Sequence, residues 1–160
     1  MNERSLNESP MNEYSHILVA LNLGEESEQV LSRAAAIAQS NHARLSLVHV
    51  IEPLGYAYGG DIPMDLTEIQ QQLDAHAHKQ LDEMARRVGV APNDTHVLVG
   101  RTQNEIHRFA EEQGVDLVVV GSHGRHGLQL LLGSTASATL HGACCDVLAV
   151  RIHPTRQEQA

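Results

Sequence analysis

Three glycines and a serine in the second half of the chain have the types and spacing of an anion-binding loop. Gly121, Gly124 and Gly133 leave the backbone bare where it must turn sharply or approach a ligand, and Ser134 follows with a hydroxyl suited to capping a helix. Arg125 adds a cation within the same stretch. Free amides at a helix start, a cap hydroxyl and an unobstructed backbone together attract phosphate. The spacing is equally compatible with a strand-to-helix turn that holds no ligand.

This pattern resembles the ATP-binding members of the universal stress protein family. Those members carry two glycines two residues apart after their fourth strand, then a spacer of usually nine residues, then Gly followed by Ser or Thr. Here Gly121, Gly124, Gly133 and Ser134 match, but the spacer 125–132 has eight residues. Some members with the shorter spacer lack the glycines and do not hold ATP. The resemblance extends from about Tyr14 to Ile152.

The resemblance implies a site for ATP or a related adenine nucleotide. Asn22 stands where the family usually has Asp, so it keeps a hydrogen bond to a ribose hydroxyl but lacks the charge that helps to hold a divalent ion. Any magnesium ion would then be held through the phosphates. A plain role in the sheet core is the simpler interpretation of Ala20, Leu45 and Val120. The implied binding residues are Ala20, Leu21, Asn22, Leu45 or its neighbours, Val120, Gly121, Gly124, Arg125, Gly133, Ser134 and Thr135.

Strands and helices alternate along the chain, which predicts one α/β domain built on a parallel sheet. Short runs rich in Val, Ile and Leu predict strands, and apolar residues that recur at steps of three and four predict helices. The predicted strands are His16 to Leu21, Leu45 to Ile51, Thr95 to Val99, Leu117 to Val120 and Asp146 to Ile152. The predicted helices are Glu25 to Ser40, Asp65 to about Val88, one that Thr102 and Glu105 open as a capping box, and Gly133 to about His141.

The family resemblance adds the strand order 3-2-1-4-5. It implies a single doubly wound five-stranded parallel sheet with helices on both faces, like that of the adenine nucleotide alpha hydrolases. In such a sheet ligands bind where the order reverses, in the crevice at the carboxyl ends of strands 1 and 4. Asn22 follows strand 1 and Gly121 follows strand 4. The glycine-bearing segment is therefore expected beside this crevice.

Composition divides the chain into one domain and two tails. Residues 1–13 are rich in Asn, Glu and Ser, which predicts a disordered N-terminal tail. Residues 14–153 form the expected domain, and residues 154–160 are polar and expected to be frayed.

Charge and cysteine content indicate the compartment and exclude two classes of partner. The net charge is −9 and Lys79 is the only lysine, which argues against nucleic acid and anionic membrane surfaces. No apolar run approaches the ~20 residues of a membrane span. Cys144 and Cys145 are adjacent, so a disulfide between them would be strained. We therefore expect reduced, structural thiols and a cytoplasmic protein.

Other chemistries lack their signatures in this sequence. Lys79 does not follow a glycine-rich loop, so no P-loop is present, and neither Cys-x-x-Cys nor His-Glu-x-x-His occurs. A Gly-x-Ser-x-Gly nucleophile elbow is also missing. We therefore predict no metal site and no catalytic residues, with slow ATP hydrolysis at most.

Strand 5 is the predicted point of assembly. Val147, Leu148, Val150 and Ile152 make it apolar, and it has no proline or lysine to discourage pairing. We expect a homodimer through antiparallel pairing of Asp146 to Ile152, and a further protein partner that the sequence does not identify. The preferred function is a stress-response protein that binds an adenine nucleotide. The alternatives are a nucleotide-free homodimeric interaction protein and, third, a true nucleotide hydrolase or transferase.

Overall fold

The computed structural model describes residues 13–53, 66–122 and 134–154. Three of the residues implied in binding, Gly124, Arg125 and Gly133, lie outside these ranges. So do the predicted N-terminal tail up to residue 12 and residues 155–160 of the predicted C-terminal tail.

The described residues contain a five-stranded sheet in the order 3-2-1-4-5, with every neighbouring pair parallel. This order confirms the expected doubly wound sheet. β1 and β4 lie at its centre, where Ile17 pairs with Leu117 and Val19 with Val119. The strands are β1 His16–Ala20, β2 Arg44–Ile51, β3 Thr95–Val99, β4 Leu117–Ser122 and β5 Asp146–Arg151.

Four helices cover the two faces of the sheet within the described ranges. They are α1 Ser27–Asn41, α2 Thr67–Arg87, α3 Thr102–Glu112 and α4 Ser134–Leu140. α1 and α2 pack on one face, and α3 and α4 on the other. None of these helices combines the length and the apolar character that crossing a bilayer requires.

The alternation of side chains along each strand explains the two cores. On β1, Ile17 and Val19 face α1 and α2, whereas Leu18 faces α3 and α4, and all three are 0% exposed. Each strand at the centre is thus buried on both faces, which is why its sequence is continuously apolar rather than alternating.

The start of α3 differs from the expected capping box. No side chain caps the helix from its N-cap position, Arg101. Instead Glu52, just after β2, accepts hydrogen bonds from the Thr102 amide at 3.1 Å and the Thr102 hydroxyl at 3.0 Å. Glu105 is paired with Arg108. The carboxylate at the helix start is therefore supplied from another element, where it also complements the helix dipole.

The amino end of the sheet is tied together by carboxylates. Asp116, which precedes β4, accepts hydrogen bonds from the Ser15 amide and hydroxyl and from the His16 amide, at 2.8, 2.9 and 3.0 Å. Burial by itself raises the pKa of Asp116, but these hydrogen bonds outweigh burial and leave the pKa below its usual value. The Tyr14 hydroxyl donates to Asp146 at 2.8 Å.

Candidate functional site

The candidate site is the crevice at the carboxyl ends of β1 and β4. These neighbouring strands are parallel, and the chain leaves them for opposite sides of the sheet, β1 towards β2 and β4 towards β5. The order of strands therefore reverses at this point, which opens a cleft in doubly wound sheets. Ala20 ends β1 here and is followed by Leu21 and Asn22, and Val120 and Gly121 lie near the end of β4.

Asn22 organises the loop from β1 to α1. Its Oδ1 atom accepts a hydrogen bond from the Gly24 amide at 3.0 Å, which forms an Asx turn, and another from the Ser27 hydroxyl at 2.7 Å. Leu23, which lies between Asn22 and Gly24, has a φ of 63°, in the left-handed region that leucine rarely adopts. Ser27 is only 2% exposed, so its hydroxyl depends on this partner. Asn22 is itself exposed, and with Oδ1 engaged its amide Nδ2 group is the part that can donate to a ligand.

Leu21 is fixed by both of its backbone polar groups. Its amide donates to the Val48 carbonyl at 2.9 Å, and its carbonyl lies 2.7 Å from Nδ1 of His49. Because a carbonyl only accepts, Nδ1 of His49 carries the proton and Nε2 is left as an acceptor. His49 is a residue of this edge that sequence reasoning missed. The available signal was a histidine flanked by valines near the carboxyl end of β2.

Gly121 has a packing reason to be glycine. A Cβ atom at this position would lie 2.6 Å from Cδ1 of Ile152 and 3.0 Å from Cγ2 of Val30. The first distance is shorter than real Cβ contacts and the second is at the tight end of their range, so Ile152, just after β5, and Val30 of α1 leave little room for a side chain here. The glycine therefore permits close packing of α1 and the end of β5 on β4, whether or not a ligand approaches.

The other implied residues are distributed unevenly. Ser134 and Thr135 are exposed in the first turn of α4, and Val120 is buried in the core under α3 and α4. Leu45 is not brought to the crevice. It pairs with Ile17 near the amino end of the sheet and is part of the core, so the residues of β2 nearest the crevice are His49, Val50 and Ile51.

A serine and a histidine at the other end of β1 are arranged like a nucleophile and its base. Nε2 of His16 lies 2.8 Å from the Ser46 hydroxyl, and Nδ1 lies 3.2 Å from the Gln113 carbonyl. The carbonyl fixes the proton on Nδ1, so the Ser46 hydroxyl donates to Nε2. However, Ser46 is 0% exposed and His16 only 6%. No substrate reaches this pair, which instead links β1, β2 and the end of α3.

A cavity of about 620 Å³ opens on the β3 side of the sheet. Its described lining comes from the end of β2, the first half of α2 and the end of β3, with Val99 and Asp74 among its walls. None of the implied binding residues within the described ranges lines it. Across the described residues, no group of three or more His, Cys, Asp or Glu side chains is arranged to hold a metal ion.

Comparisons with a family model, with curated proteins and with solved structures all identify the same family. The model of the universal stress protein family matches residues 13–151. Universal stress protein A homolog 1 of Coxiella burnetii (strain RSA 493 / Nine Mile phase I) is 46% identical over 139 residues, covering 86% of this chain and 96% of that protein. The structure of universal stress protein UspA from Lactobacillus plantarum has a TM-score of 0.71 at 26% identity, covering 88% of this chain and 100% of that one.

A further similar structure is described as a universal stress protein in complex with cAMP. It has a TM-score of 0.57 at 19% identity and covers 87% of this chain and 98% of its own. At this identity the likeness extends to the fold alone.

Proposed function

The chain belongs to the universal stress protein family, and from that premise we propose that it binds ATP or a related adenine nucleotide in the crevice between β1 and β4. Binding would act in the stress response through a change of conformation or of partners, with hydrolysis slow at most. Cytoplasmic location is part of the same proposal. A universal stress protein of the same fold has been solved in complex with cAMP, so this fold can hold an adenine nucleotide.

The observation that carries the proposal is that Asn22 and Gly121 lie at the carboxyl ends of the neighbouring strands β1 and β4, where the strand order reverses. Asn22 is exposed there, and because its oxygen is already held by Gly24 and Ser27, its amide group is the part left to donate. In the first turn of α4, the helix that follows β4 in the chain, Ser134 and Thr135 add two exposed hydroxyls. A donor amide and two hydroxyls suit a ribose and phosphates better than they suit a metal cation.

The binding residues are tested by calorimetry with ATP, AMP and GTP. Ser134→Ala should weaken adenine nucleotide binding by about 1 to 3 kcal/mol, the range for a hydrogen bond to a charged group. Ser40→Ala is the matched control, because Ser40 is an exposed serine near the end of α1, at the amino ends of the strands and so away from the crevice. Gly133→Val, chosen from the sequence alone, should abolish binding while circular dichroism shows an intact fold. Failure of the wild type to bind any of the three at millimolar concentration would contradict the proposal.

The alternative function is a nucleotide-free homodimer that acts through protein contacts. Two observations favour it. The packing of Ile152 and Val30 against Gly121 accounts for that glycine without a ligand, and the Asn22 side chain has a structural role of its own. Calorimetry decides between the two functions, since only the first requires a nucleotide.

Assembly through β5 is proposed under either function. β5 is an edge strand with β4 as its neighbour on one side, and Val147, Leu148 and Ala149 are half-buried. Antiparallel pairing of residues 146–152 with a second copy would satisfy the outer row of backbone groups. A two-fold axis between the two β5 strands makes such a contact self-complementary.

A further inference from the structure

Helix α2 leaves part of its apolar stripe uncovered. Apolar residues recur along this helix at steps of three and four, as in a helix that packs on a sheet. In the second half they are buried, with Ala77, Leu81 and Met84 only 3, 1 and 7% exposed. In the first half, Ile69 and Leu73 are 42% and 41% exposed. The fold therefore buries the second half of this stripe and leaves the first half open.

The cavity on the β3 side of the sheet lies beside this open half. Its apolar walls are Pro53 just after β2, Leu66 at the start of α2 and Val99 at the end of β3. Val99 is itself 51% exposed. The volume of about 620 Å³ falls within the range of roughly 300 to 1,000 Å³ typical of small-molecule sites. Apolar walls of this kind favour a ligand with an apolar body.

Gln70 gives the cavity a hydrogen-bond donor without an acceptor. Gln70 lines the cavity, and its Nε2 group is shielded from solvent with no hydrogen-bond partner among the described residues. A buried donor in this state is unfavourable and uncommon in native proteins. The terminal torsion of glutamine is soft, so the amide can turn its Nε2 group towards an acceptor in the cavity. A ligand oxygen beside Gln70 would satisfy this donor.

The charges around the cavity select against anionic ligands. The described lining contains the carboxylate of Asp74 and neither lysine nor arginine. Glu68 lies in the first turn of α2, where its charge offsets the positive end of the helix dipole. Asp74 Oδ2 lies 3.3 Å from Nδ1 of His78, so the carboxylate already has a partner on the solvent side. An uncharged ligand therefore fits better than an anion.

We propose that this cavity binds small uncharged molecules that combine an apolar body with a carbonyl oxygen, which accepts a hydrogen bond from Gln70. Ketones, esters and amides have this chemistry. The apolar body covers Leu66 and Val99, and the oxygen supplies the acceptor that the described residues do not. The site is separate from the crevice, because neither Asn22 nor Gly121 lines it. It therefore does not depend on nucleotide binding.

The test compares three probes of nearly the same shape. Acetophenone has the carbonyl, α-methylstyrene replaces the carbonyl oxygen with a CH₂ group, and benzoate replaces the methyl group with a charged oxygen. Each is titrated into full-length ¹⁵N-labelled protein, and amide NMR spectra give both the affected residues and the Kd. Acetophenone should cause saturable shifts at Leu66, Gln70 and Val99. α-Methylstyrene should bind at least about 3-fold more weakly, because it cannot accept a hydrogen bond. Benzoate should bind at least about 10-fold more weakly, because of Asp74.

Gln70→Leu tests the role of the donor. In this variant acetophenone and α-methylstyrene should bind equally within about 2-fold, because the group that distinguishes them is gone. A purely structural role of Gln70 would change both affinities alike and keep their ratio. Gln72→Leu serves as the control, since Gln72 is exposed on the same helix and outside the lining, and it should keep the preference for acetophenone.

Three results would overturn the inference. The first is the absence of saturable shifts at Leu66, Gln70 and Val99 with acetophenone up to its solubility limit. The second is a wild type that binds α-methylstyrene as tightly as acetophenone. The third is a folded Gln70→Leu variant that still prefers acetophenone. If Gln70→Leu does not fold, the comparison of the probes on the wild type still decides.

Discussion

Replacing Gly121 with alanine tests whether packing dictates the glycine at the end of β4. The new Cβ would lie 2.6 Å from Cδ1 of Ile152 and 3.0 Å from Cγ2 of Val30. Adding a methyl to a well-packed core costs about 1 to 3 kcal/mol. The closest atom here is the terminal methyl of an isoleucine, which can turn away, whereas Val30 is 3% exposed within a helix and has less freedom. We therefore expect a loss of about 2 kcal/mol in the free energy of unfolding.

A double-mutant cycle separates this contact from other effects. Ile152→Val removes Cδ1 and by itself should cost about 0.5 to 1.5 kcal/mol, because Ile152 is 8% exposed. Combined with Gly121→Ala, it relieves the shorter contact, so the double mutant should lose at least about 1 kcal/mol less than the sum of the single changes. Gly24→Ala is the matched control, since its Cβ would lie 3.4 Å from the nearest atom, Oδ1 of Asn22.

The assay is urea unfolding followed by circular dichroism, at one fixed protein concentration so that any dimer contributes equally. Gly24→Ala should change the free energy of unfolding by less than about 1 kcal/mol. The reasoning fails if Gly121→Ala is tolerated within about 0.5 kcal/mol, or if the two substitutions prove additive within the same margin.

Three further predictions concern the loop, the edge strand and the amino end of the sheet. Asn22→Ala should lower the free energy of unfolding in urea by about 1 to 3 kcal/mol, because it leaves the buried Ser27 hydroxyl without its acceptor. Asn22→Asp should retain that stability and make nucleotide affinity more sensitive to removal of magnesium. If wild type and Asn22→Asp are equally sensitive to magnesium removal, the predicted effect of the missing charge at residue 22 is refuted. Ala149→Pro should convert the dimer to monomer in sedimentation at micromolar concentration, and a wild-type monomer would refute the interface. Because the pKa of Asp116 is lowered on folding, its contribution to stability is fully present above about pH 4 and is lost as pH falls through the pKa of the folded state. The difference in unfolding free energy between wild type and Asp116→Asn should therefore shrink from pH 7 to pH 2.5. A difference that stays constant over this range would contradict the prediction.

The strands were predictable because their signals are local and strong, whereas their order in the sheet, 3-2-1-4-5, came from the family resemblance. Five runs of Val, Ile and Leu define the strands, and β3 begins and ends at the predicted residues, Thr95 and Val99. Helix ends were less predictable, since α1 begins at Ser27 rather than Glu25. The Asn22 side chain holds the turn before α1 by accepting a hydrogen bond from the Ser27 hydroxyl, five residues along the chain. The periodicity of apolar residues does not reveal this contact.

The details of the site depend on contacts between distant residues, which spacing does not encode. Thr102 and Glu105 have the spacing of a capping box, but Glu52 reaches Thr102 from fifty residues away in the chain. Strand register likewise determines that Leu45 lies at the amino end of β2 and His49 near the crevice. The sequence alone predicts that β2 is a strand, but it does not predict which residues of β2 lie near a ligand.

The central claim is tested most directly by releasing whatever small molecule the protein carries. Full-length protein purified without added nucleotide is denatured, and the supernatant is examined by mass spectrometry against a Gly133→Val preparation at the same concentration. Binding of an adenine nucleotide predicts an adenine nucleotide in the wild-type supernatant and little or none from Gly133→Val. An empty supernatant from the wild type, together with no calorimetric binding of ATP or AMP at millimolar concentration, would contradict the claim and leave the nucleotide-free interaction protein as the function.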